Sequence, residues 1–142
     1  MTESMPFFLV HIAVAVETLD KATSVYAALG FELGEPEIIE RENVRLQKVT
    51  KDGVCLELIE PYPADTGSVA RYLAKRGPGL HHVAFKSDDI QGDLMKLQNR
   101  GINVLHGYPA KGSEGTLVAF LNPQTTGGVL IELVEKKQTK VV

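Results

Sequence analysis

His11-Ile12-Ala13-Val14-Ala15-Val16 and His82-Val83-Ala84-Phe85-Lys86-Ser87 open two stretches of the chain that run in parallel. Eight residues after each histidine stands an apolar residue at a helix position, Leu19 and Ile90. Nineteen residues after each comes glycine followed by an apolar residue, Gly30-Phe31 and Gly101-Ile102. The second half therefore repeats the first at an offset of 82 − 11 = 71 residues. Each half closes on a strand-like run with one glutamate among apolar neighbours, Glu57 and Glu132.

Outward from these strands, Phe7 to Val16 is nearly continuous in apolar residues, the pattern of a strand buried on both faces. Thr18 is placed to cap a helix carrying Leu19, Ala22, Tyr26 and Leu29, and Gly30 stops it. Strands are expected at 31–38, 44–50 and 54–60, the last two joined by the turn Lys51-Asp52-Gly53. A connector follows, with a short helix at 68–75 ended by Gly77-Pro78-Gly79. The second half reads the same way: a strand at 80–86, a helix opened by Asp88-Asp89 with Ile90, Leu94 and Leu97 buried, then strands near 102–105, 116–121 and 129–134. The fold class is α+β, a βαβββ unit used twice, with modules at about 6–61 and 79–135 of a single domain spanning 1–142. Two such units side by side give a curved eight-stranded sheet with the helices outside.

Alternation along a strand sets His11 on one face with Ala13, and His82 with Ala84, small neighbours that leave room for an imidazole. Glu57 shares its face with Cys55 and Ile59, and Glu132 with Leu130 and Val134. Carboxylates so flanked are withdrawn from water and need partners. Two histidines and two glutamates suit one divalent ion of intermediate softness with positions left for substrate. His81 points away from His82, His106 lies in a loop, and Cys55 behaves as a small hydrophobe.

Bulk properties narrow the partners. A net charge of −3 gives no basic field for nucleic acid, and no window is apolar enough to span a bilayer. Met1 to Phe8 has neither a basic n-region nor a cleavage site, and the single Cys55 fits a reducing cytoplasm. The polar tail from Lys136 to Val142 is expected to fray. Phe7, Phe8, Val141 and Val142, with an open sheet edge, point to a homodimer.

Longer motifs resemble a known family. Gly79-Leu80-His81-His82-Val83-Ala84-Phe85, Gly127-Gly128-Val129-Leu130-Ile131-Glu132-Leu133, Leu56-Glu57-Leu58-Ile59-Glu60-Pro61, Ser68-Val69-Ala70-Arg71-Tyr72-Leu73 and Phe120-Leu121-Asn122-Pro123 are similar to stretches of the vicinal oxygen chelate superfamily, the glyoxalase fold group. Within it the chain looks most like the methylmalonyl-CoA epimerases, over residues 8–135. The resemblance implies a metal bound by His11, Glu57, His82 and Glu132, the ion being cobalt, manganese, nickel or zinc. It implies an acyl-CoA thioester substrate epimerised through α-proton abstraction and a metal-chelated enolate, with Glu132 as one acid–base group. The family's second glutamate falls at Arg45, which cannot act as a carboxylate base, and Glu42 is the substitute. The loop Pro109-Ala110-Lys111-Gly112-Ser113-Glu114-Gly115 keeps the family's glycines, with its lysine one place later, and Lys111, Gly112 and Ser113 stand there as a holder for a CoA phosphate or as a plain turn. Three other readings share the fold: a glyoxalase I, with the same two histidines and two glutamates; an extradiol dioxygenase, which leaves the Glu57 position without a ligand; and a metal-free ligand-binding module.

Overall fold

A computed structural model describes residues 7–136. Val141, Val142 and the rest of the expected frayed tail beyond Lys136 lie outside them, as do Met1 to Pro6. The described chain divides into two compact units, one of residues 11–81 and one of residues 7–10 with 82–136, the boundary falling inside the first strand. Both are α+β, each with a mixed sheet and helices. No described helix is long and apolar enough to cross a membrane.

The first unit takes up β1 (Phe8–Ala15) from His11 onward, then α1 (Leu19–Ala28), β2 (Glu32–Leu33), β3 (Glu37–Ile39), β4 (Val44–Lys51), β5 (Val54–Pro61) and α2 (Gly67–Arg76). The single strand expected over 31–38 is split into β2 and β3 by Gly34-Glu35-Pro36. Proline has no N–H for a ladder, and the Gly34 N–H turns to the Lys48 carbonyl instead (2.8 Å). β1 pairs with β5 in parallel, Ala13 against Glu57. β4 and β5 form a hairpin across Asp52-Gly53, both at positive φ (50° and 81°), the backbone a two-residue turn of this twist demands. Counting outward from that turn pairs Lys48 with Glu57, Leu46 with Ile59 and Arg45 with Glu60.

These registers sort the sheet into two faces. Leu58 and Val49 pack with Leu19, Ala22 and Tyr26 of α1 on one face. Ala13, Ala15, Leu46 and Ile59 pack with Val69, Tyr72 and Leu73 of α2 on the other. β1 alternates rather than being buried on both faces throughout, and Phe8 and Leu9 at its start are exposed. Thr18 caps α1 as expected, its hydroxyl accepting from the Lys21 N–H at 3.3 Å.

The second unit holds β6 (Gly79–Lys86) from His82 onward, α3 (Ile90–Gln98), β7 (Ala110–Lys111), β8 (Leu117–Phe120) and β9 (Ile131–Glu135). β6 pairs with β9 in parallel, Ala84 against Glu132, as Ala13 stands against Glu57. β8 lies antiparallel to β9 with Phe120 against Glu132. Ile90 and Leu97 of α3 bury one face with Leu133, Ala119 and Leu121. The strand expected at 102–105 is reduced to one bridge, Val104 to Leu121, and the edge strand forms later, at Ala110–Lys111. Nine strands are present among the described residues in place of the eight expected.

β5 and β9 each carry a second glutamate three residues after Glu57 and Glu132, and each ties back to a helix start. Glu60, buried, accepts from the Leu19 N–H at 2.6 Å and from Arg45 Nε at 2.7 Å. Glu135 accepts from the Ile90 N–H at 3.4 Å. A carboxylate at a helix N-terminus satisfies orphan donors and meets the favourable end of the dipole. Removing it strands buried donors. Glu60→Ala is expected to lower unfolding free energy by about 2 kcal/mol, and Glu60→Gln by less, read as a shift in urea midpoint at unchanged slope.

Candidate metal centre

Strand alternation predicted that His11 and Glu57 face the same way, and in the first unit they meet. His11 Nδ1 lies 3.6 Å from Glu57 Oε2, both residues buried. The second unit holds the same pair: His82 Nε2 lies 3.4 Å from Glu132 Oε1, again buried. Burying a carboxylate and an imidazole is costly in each case, and these pairs belong to the sparse polar content of two otherwise apolar faces.

The separations are informative. A charge-assisted hydrogen bond between such groups would draw nitrogen and oxygen to about 2.7–2.9 Å. Two ligands each about 2.1 Å from one ion, at tetrahedral or octahedral angles, sit about 3.0–3.5 Å apart. The 3.4 Å of the His82–Glu132 pair falls within that spacing, and the 3.6 Å of the His11–Glu57 pair just beyond it. The donor set agrees: imidazole nitrogen and carboxylate oxygen suit a divalent ion of intermediate softness. His11, His82 and Glu132 are all buried candidates for metal ligands, and Glu57 is buried beside His11. The residues present fit the ion.

The surroundings of the two pairs differ. Glu132 has Phe120 across the strand pair, and the Phe120 ring meets His82 edge-on with centroids 5.1 Å apart. Tyr108 meets Phe120 in the same way at 5.3 Å. Glu57 has Lys48 across from it. Neither Lys48 nor the two rings stood out from residue types alone. Lys48 was reachable from the Asp52-Gly53 turn, because 52 + 53 and 48 + 57 both equal 105. The rings had no such signal, since Tyr108 comes from a loop.

Arg45 is excluded as a stand-in for a site carboxylate by position as well as by chemistry. It pairs in register with Glu60 on the α1 face, opposite the face of Glu57. The β4 residues that share Glu57's face are Val44, Leu46, Lys48 and Thr50, none of them acidic. Glu42 lies in a 3-10 turn, Glu40–Glu42, ahead of β4, with Arg41 Nε 4.0 Å away. Val44 to Lys48 alone spans about 13 Å of strand, so the Glu42 backbone is remote from Glu57. His81 meets the Tyr72 ring edge-on at 5.0 Å, and His106 is exposed. Cys55 is half-buried.

The loop at Lys111, Gly112 and Ser113 has a structural reason for its glycine. A Cβ on Gly112 would lie 2.5 Å from Val118 Cγ1 and 3.1 Å from Thr116 Oγ1, so close packing on β8 demands glycine there. Lys111 is exposed beside it.

Comparisons with known proteins agree with this architecture. Residues 10–120 match the Glyoxalase/Bleomycin resistance protein/Dioxygenase superfamily. The chain is 37% identical over 128 residues to the uncharacterized protein YqjC of Bacillus subtilis, covering 89% of this chain and 91% of that one. It is 37% identical to the mitochondrial methylmalonyl-CoA epimerase of Bos taurus, covering 87% of this chain and 71% of that one. A solved methylmalonyl-CoA epimerase in complex with methylmalonyl-CoA and NH4+ superposes with a TM-score of 0.83 at 36% identity, over 92% of this chain and 94% of that one.

Proposed function

Because the chain belongs to the Glyoxalase/Bleomycin resistance protein/Dioxygenase superfamily and, within it, to the methylmalonyl-CoA epimerases, we propose that it epimerises methylmalonyl-CoA by moving the α-proton. The observation that carries the reading is the buried histidine–glutamate pair, present once in each unit. His11, Glu57, His82 and Glu132 are the ligands of one divalent ion in this reading. The ion supplies a Lewis acid for the negative charge that develops beside the thioester carbonyl.

The residues of the chain do the rest. Ala13 and Ala84, fully buried, stand in register with the two carboxylates and add no bulk beyond a methyl group there. Glu132 is buried, with Phe120 opposite it in register and the Phe120 ring against His82, and withdrawal from water strengthens electrostatic effects on a developing anion. Glu132 is the acid–base group that takes the α-proton, held by β9 with Phe120 against it. A second group must serve the opposite face of the planar intermediate. Glu42, the substitute suggested by the sequence, is set back in its 3-10 turn. A bound water polarised within the site fits the second role better than a direct transfer from Glu42. Lys111 and Ser113 remain candidates to hold a CoA phosphate, with Gly112 serving the packing of β8.

A glyoxalase I shares this ligand set, and the same assays separate the two. The dioxygenase reading is disfavoured by Glu57 lying against His11, and the metal-free module by four buried ligand-type side chains. Phe8 and Leu9, 67% and 58% exposed at the start of β1, support a homodimer in the cytoplasm-type setting suggested by the single cysteine.

Deuterium uptake at the α-carbon of methylmalonyl-CoA, followed by mass spectrometry, tests the reaction. Glu132→Gln is expected to lower it by about 100-fold or more, the usual size of a lost acid–base group. Glu42→Gln is expected to leave it within about twofold, and a large loss would restore Glu42 as the second base. Chelator-treated protein should lose exchange and recover it with one equivalent of a divalent ion. Isomerisation of the methylglyoxal–glutathione hemithioacetal without uptake into methylmalonyl-CoA would favour the glyoxalase. Sedimentation at micromolar concentration should give the mass of two chains.

A further inference from the structure

α2 carries three cations and no acidic residue, Gly-Ser-Val-Ala-Arg-Tyr-Leu-Ala-Lys-Arg, in a chain whose net charge is −3. Arg71, Lys75 and Arg76 are exposed, and none has an ion pair among the described residues. Arg71 and Lys75 stand one turn apart, where like charges oppose helix formation. The helix dipole accounts for Lys75 and Arg76 in the last turn, but not for Arg71.

The placement is specific. Val69, Tyr72 and Leu73 seat α2 on Ala13, Ala15, Leu46 and Ile59, the face of the first unit's sheet that also bears His11 and Glu57. Arg76 continues the Val69–Tyr72–Leu73 stripe, and its guanidinium lies over the Tyr72 ring, 5.8 Å from the centroid. Tyr72 is itself fixed, its hydroxyl donating to the Leu80 carbonyl at 2.6 Å and its ring meeting His81. A stacked guanidinium is pre-organised and still presents donors that match a phosphate. Arg76 lies about 10 Å along α2 from Val69, the buried residue that seats the helix on the sheet.

We propose that Arg71, Lys75 and Arg76 of α2 bind a phosphate of the coenzyme A nucleotide. The inference rests on the acyl-CoA reading above. A thioester substrate of that class carries its reacting carbon at one end of the pantetheine arm and a cluster of phosphates at the other. One sheet face both bears the buried His11–Glu57 pair and carries the basic helix, so it meets both ends of such a substrate.

The test compares substrates with and without the nucleotide. The variant Arg71→Gln/Lys75→Gln/Arg76→Gln is expected to raise KM for methylmalonyl-CoA at least tenfold with kcat unchanged. KM for methylmalonyl-pantetheine, which has no phosphate, should not move. The double variant Arg71→Gln/Lys75→Gln spares the Tyr72 stack and should show the same selectivity at smaller size. Equal effects on both thioesters, or no effect on either, would overturn the proposal. Calorimetric titration with coenzyme A alone gives an independent reading: its affinity should fall in both variants, and unchanged affinity overturns the site. Wild-type protein that binds coenzyme A through these residues but exchanges no α-proton would defeat the epimerase reading and leave the phosphate site standing.

Discussion

A carboxylate held against an imidazole, away from water, is the feature around which each unit is arranged. Such a pair is destabilising unless something gives the charge a partner, so its neighbours are chosen to place it and keep it dry. Ala13 and Ala84, both fully buried, lie in register with Glu57 and Glu132. The strand ends are then anchored by a second carboxylate that borrows the backbone donors of a helix, Glu60 at α1 and Glu135 at α3. Helix, strand and ligand are thereby fixed relative to each other within a unit, and metal chemistry needs that precision.

Duplication supplies two such pairs, and divergence makes them unequal. One carboxylate faces Lys48 and the other Phe120. The aromatic side favours charge interactions by excluding water, while the lysine adds a cation near a ligand. In the proposed reaction proton transfer falls to Glu132, whose strand partner is a ring. Arg45 serves the anchor of Glu60.

Much of this is legible in the sequence. The spacing of histidine, apolar helix residue and glycine gave the repeat, and alternation correctly set His11 with Ala13 and Glu57 with Ile59, because the side-chain period of a strand is a geometric necessity. Thr18 and the Asp52-Gly53 turn were readable for the same kind of local reason. The edges were not. Residues 31–38 have strand-like composition, but Pro36 breaks the ladder, and 102–105 forms one bridge where a strand was expected. Edge strands depend on what they pair with, and one strand's pattern does not contain that information. Arg45 pairs with Glu60 on the face opposite Glu57, which residue type alone does not reveal, because a single step along a strand changes the face.

The ring contacts around His82 have a spectroscopic consequence. The chain has no tryptophan and four tyrosines, so its near-ultraviolet emission comes from tyrosine alone. Tyr108 is one phenylalanine ring away from His82. Filling the neighbourhood of that histidine changes the polarity felt by one of only four emitters, and a paramagnetic ion such as cobalt would quench it. The enzyme therefore carries its own optical probe, and ligand entry can be followed on native protein with no label attached.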